Sequence, residues 1–96
     1  MERITIRDLE GMVSRLNRLT GQIDAAYTRG DDGKLRANVG SYTLSGAYGG
    51  WELEQIVNEG GGVTCPIGPG HLPKRELYGK LHAFIAGIAQ AAEVPR

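Results

Sequence analysis

The chain has 96 residues and a mass of 10.3 kDa, the size of one domain, which excludes a two-domain enzyme. Val, Ile, Leu and Phe supply 22 of those residues, enough for a small core with little to spare. Eleven basic and eleven acidic residues cancel, so no net field draws the protein onto duplex DNA or an anionic membrane.

Glycine organises the chain: eleven of the fifteen glycines lie between Gly30 and Gly70, which leaves two Gly-poor ends around a turn-rich middle. In the first end, Leu9, Met12, Leu16, Leu19 and Ile23 alternate spacings of three and four, with Ile6 and Val13 widening the stripe. That spacing predicts a helix over 6–19. Thr5 and Asp8 make a capping-box variant at its start, and Thr20-Gly21 a stop. The same spacing fits a subunit seam, and with so small a core it predicts a homo-oligomer.

Gly30-Asp31-Asp32-Gly33 tolerates the positive φ of a hairpin turn between Ala25–Arg29 and Lys34–Val39. Leu35, Ala37 and Val39 alternate with polar residues, and Tyr42 and Leu44 continue the pattern after a turn at Gly40-Ser41. An antiparallel meander of two or three strands follows. Beyond Gly49-Gly50, apolar residues at 53, 56 and 57 read as a short helix over 51–59, stopped by Gly60-Gly61-Gly62. A Gly-rich loop then runs to His71, and Pro73 opens a last helix over 73–92 with Leu77, Leu81, Phe84, Ile85 and Ile88 on its core face. The expected fold is α+β, with this last helix packed on the sheet.

In this reading both later helices start beside Gly-rich backbone, where free N–H groups can hold a phosphate or carboxylate. Gly46, Gly49 and Gly50 precede the first of them; His71, Lys74 and Arg75 stand at the second. Tyr42, Tyr48 and Trp51 offer flat faces to stack on a base. Lys74 and Arg75 oppose the helix dipole, so they call for a reason beyond helix stability. The competing explanation is plainer: glycines for tight turns, Trp51 as a core anchor, the cations as a solvated first turn. Neither a P-loop nor a dinucleotide motif is present.

The single cysteine, Cys65, excludes an internal disulfide and fits a cytoplasmic setting. No signal peptide or bilayer-spanning stretch is read at the ends, and one cysteine with two histidines predicts no metal site. A Cys65 nucleophile with His71 or His82 as base lacks a third orienting group. Glu52, Glu54 and Glu59 read as a solvated helix face, and no cofactor is implied.

The stretches Asn17–Gly21, Tyr27–Arg29, Asp32–Lys34, Ala37–Gly50, Asn58–Val63 and Gly70–Tyr78 together resemble small accessory proteins encoded by tailed bacteriophages. The resemblance implies a non-structural product of the host cytoplasm and carries no catalytic residue. The expectation is therefore a non-enzymatic protein that sequesters a small anionic, nucleotide-like ligand, countering a host defence signal. The alternative is a protein-directed inhibitor that grips a host protein through its Gly-rich loops and exposed aromatics.

Overall fold

The computed structural model describes residues 3–93. Helix α1 spans Ile6–Leu19, as the spacing predicts. Its capping box is formed: the Asp8 N–H donates to Thr5 Oγ1 at 3.3 Å and the Thr5 N–H to Asp8 Oδ2 at 2.8 Å. Gly21, at φ 73°, carries the chain out of the helix. The buried face is rotated from the expected stripe: Leu9, Val13, Leu16 and Asn17 are enclosed, Met12 packs at the margin, and Leu19 and Ile23 are exposed. The helix ends before the stripe does: Ile23 lies beyond it at 57% exposure, and Leu19 at its last position is 39% exposed.

Strands β1 (Tyr27–Arg29) and β2 (Leu35–Ala37) form the expected hairpin. Its turn is held by the Gly30 N–H donating to the Lys34 carbonyl at 2.8 Å, and by the Lys34 N–H donating to Asp32 Oδ1 at 3.0 Å. This hairpin is a sheet by itself, which corrects the single meander. Leu35 and Val39, expected to face inward, are 61% and 51% exposed.

Strands β3 (Tyr42–Ala47), β4 (Gly50–Ile56) and β5 (Val63–Thr64) make a second antiparallel sheet in that order. The segment expected as a short helix is β4. Trp51, Leu53 and Gln55 pair across from Gly46, Leu44 and Tyr42 on one face, while Glu52 and Glu54 pair with Ser45 and Thr43 on the other. A period of two fits Trp51-Glu52-Leu53-Glu54 as well as a helical spacing does, and the preceding turn decides between them. Tyr48 and Gly49 both have positive φ, 53° and 74°, the twist that sends a two-residue turn straight into an antiparallel partner.

Helix α2 (Lys74–Glu93) packs on α1 and on β4. Leu77, Leu81 and Ile85 are buried with Leu9, Val13, Leu16, Tyr42 and Leu53 in one core, and Phe84 and Ile88 pack at its edge. The fold is α+β with a helix at each end.

Candidate functional site

After β5 the chain arches away and returns to the same edge of β4 at Leu72. There the Trp51 and Leu72 N–H groups each donate to the other's carbonyl at 2.8 Å. Gly50 makes this return possible, since a Cβ there would lie 2.9 Å from the His71 carbonyl carbon and the Leu72 oxygen. The bridge sets the start of α2 beside the indole of Trp51. Gly46, directly across from Trp51, is equally constrained: a Cβ would come within 2.7 Å of the indole, so the ring lies over the glycine.

The result is a cleft of about 580 Å³ lined by Arg3, Ile4, Gly49, Trp51, Pro73, Lys74 and Arg75. Three cations and an indole line it, with no carboxylate among the described lining residues. Of the residues predicted from sequence, Gly49, Trp51, Lys74 and Arg75 are brought together here. Arg3 and Ile4 were missed, because only the tertiary fold carries the chain's start to this point.

The other predicted residues lie elsewhere. Tyr42 is buried, its ring edge-on to Phe84 at 6.1 Å, and burial pushes its phenol up. Gly46 and Gly50 serve packing, and no helix starts after them, which removes the first of the two proposed anion-binding helix ends. Tyr48 is 97% exposed at the hairpin tip and meets the His71 ring edge-on at 5.8 Å.

His71 belongs to a second cluster, on the sheet face away from the core. Its Nε2 lies 3.4 Å from Ser45 Oγ. Beside it Glu52 is buried and accepts the Gly70 N–H at 2.7 Å, which, with lesser help from Cys65, His71 and Glu54, holds its carboxyl below the usual glutamate value. Burial, and then the bond and like charge of Glu52, push Glu54 up. This corrects the solvated helix face expected for these glutamates. Burial and the same two carboxylates push the Cys65 thiol up, which opposes thiolate formation and weakens the case for a cysteine nucleophile.

Among the described residues no group of three His, Cys, Asp or Glu side chains could hold a metal ion, and no helix is long and apolar enough to cross a membrane. No family model, curated protein or solved structure matches the chain.

Proposed function

We propose that the chain is a non-enzymatic binding protein that captures a small anionic, nucleotide-like ligand in the cleft between Trp51 and the start of α2. The observation that carries this reading is the cleft's composition: its described lining brings Arg3, Lys74 and Arg75 together beside one indole. Phosphate groups suit the cations and the first turn of α2, and a base suits the indole. This placement also gives Lys74 and Arg75 the reason that helix stability alone withholds. Sequestration of a host defence signal by a phage product is part of the same proposal and rests on the sequence resemblance.

Trp51 is the single tryptophan, so its emission reports the cleft directly. Titration with AMP, a cyclic dinucleotide and pyrophosphate is expected to change that emission, and Lys74→Ala to weaken the response about tenfold with the fold intact by circular dichroism. Native mass spectrometry of protein from a phage-challenged host is expected to show excess mass lost on denaturation, and it counts subunits in the same spectrum. No emission change with any of the three anions, together with no excess mass, would overturn the reading. The second reading, a protein-directed inhibitor, is favoured by one observation: Tyr48 stands almost fully exposed on the two-residue turn between β3 and β4.

A further inference from the structure

We propose that the free edge of β3 is a docking site for an extended peptide carrying a basic side chain. The register fixes which main-chain groups point outward. The Ile56 N–H donates to the Ser41 carbonyl at 3.0 Å, so the odd-numbered positions of this segment bond toward β4 and the even ones face away from it. Tyr42 confirms the phase, because its outward N–H and carbonyl are both taken by the side chain of Asn17. The next two outward positions are Leu44 and Gly46. Among the described residues, neither has a hydrogen-bond partner on that side. Two donors and two acceptors thus stand in a row at β spacing, a pattern that an extended backbone matches.

A groove of about 410 Å³ lies along this edge, walled by α1, by residues 24–26 and by β3 itself. Its side chains select the occupant. Near Trp51 the walls are apolar, with Ile6 and Leu44; farther along they carry Glu10 and Asp24 and no cation. The Ser14 hydroxyl and the Asn17 amide hold the Asp24 carboxyl below its usual value, with a smaller contribution from Arg18, which is not part of the wall. An added antiparallel strand would set an apolar side chain beside Gly46 and Trp51. Two residues on, a Lys or Arg would stand beside Leu44, facing the two acids. A second copy pairing through its own β3 offers Tyr-Thr-Leu-Ser-Gly-Ala, which has no cation to give. The groove therefore suits a foreign segment of the form apolar-x-basic. Asn17 closes the edge at Tyr42 and so fixes where that segment stops.

The test is amide-resolved NMR with the peptide acetyl-Thr-Ile-Thr-Lys-Thr-amide at millimolar concentration. The expected result is saturable shifts centred on the Leu44 and Gly46 amides, affinity about tenfold lower for Glu10→Lys, and similar loss when the peptide lysine is replaced by glutamate. N-methylation of the peptide's Ile and Lys nitrogens is expected to abolish the shifts. Absence of shifts at Leu44 and Gly46, or equal binding of the glutamate peptide, overturns the proposal. So does a peptide-free dimer whose Leu44 and Gly46 amides are protected from exchange, which would assign the edge to a second copy.

Discussion

The carboxamide of Asn17 binds both main-chain polar groups of Tyr42, donating from Nδ2 to the carbonyl at 3.0 Å and accepting the N–H on Oδ1 at 2.8 Å. A helix side chain thereby completes one rung of the sheet, and the same Nδ2 also reaches Asp24 Oδ1 at 3.0 Å. Asn17 has no exposed surface, so its loss leaves buried groups without partners. Asn17→Ala is expected to cost about 2 to 4 kcal/mol in urea unfolding. Asn17→Asp should cost more, because it sets a carboxylate against the Tyr42 carbonyl and Asp24.

Gly46 lies under the Trp51 ring, with space for a hydrogen and not for a methyl. Gly46→Ala is expected to push the indole off the sheet and destabilise the fold by about 1 to 3 kcal/mol. A shift in the emission of the lone tryptophan, alongside a lower unfolding midpoint, checks it; unchanged emission would show that the ring is not seated there.

The glutamate pair gives opposing pH dependences. Glu52 titrates lower in the folded chain than in the unfolded one, so its stabilisation is present above the unfolded value and lost as pH falls through the folded one. Glu54 titrates higher when folded, so its contribution is present below the unfolded value and lost as pH rises through the folded one. Glu54→Gln is therefore expected to raise the melting temperature at about pH 7, and Glu52→Gln to lower it there. The Glu54 difference should vanish as pH falls below the unfolded glutamate value, and the Glu52 difference only as pH falls through its lower folded value. Thermal melts across that range supply the measurement.

Gly79 and Gly87 occupy exposed positions inside α2, and a Cβ at either meets open space. Each substitution to alanine is expected to stabilise the chain by about 0.5 to 1 kcal/mol, by removing backbone freedom from the unfolded state. For a domain of this size each should raise the melting temperature by roughly 2 to 8 °C.

Local signals account for what was legible in the sequence. Thr5 and Asp8 mark the start of α1, Gly30 to Gly33 the first hairpin and Pro73 the approach to α2, and each works through its immediate neighbours. β4 was misread because six residues of Trp51-Glu52-Leu53-Glu54-Gln55-Ile56 satisfy two periods at once, and the deciding turn required Tyr48, a bulky residue, at positive φ. The burial of Glu52 depends on an arch reaching Gly70, and the cationic cleft on Arg3 and Lys74 lining the same space; neither leaves a trace in sequence spacing. Asn17 was invisible for another reason. It sits on the helix face where an apolar residue is expected, and its role exists only once a strand edge lies against it.

The packing of α1 on α2 also sets an order of events during synthesis. Leu9, Val13 and Leu16 find their cover in Leu77, Leu81 and Ile85, which follow only after both sheets have been made. A chain still on the ribosome can close its hairpins early, since each pairs near neighbours, but until α2 is made only the sheet, through Tyr42 and Leu53, covers α1. Until α2 emerges, the part of the α1 stripe that Leu77, Leu81 and Ile85 cover is open to chaperones and to other nascent chains, and a stop codon before Leu77 would leave it so permanently.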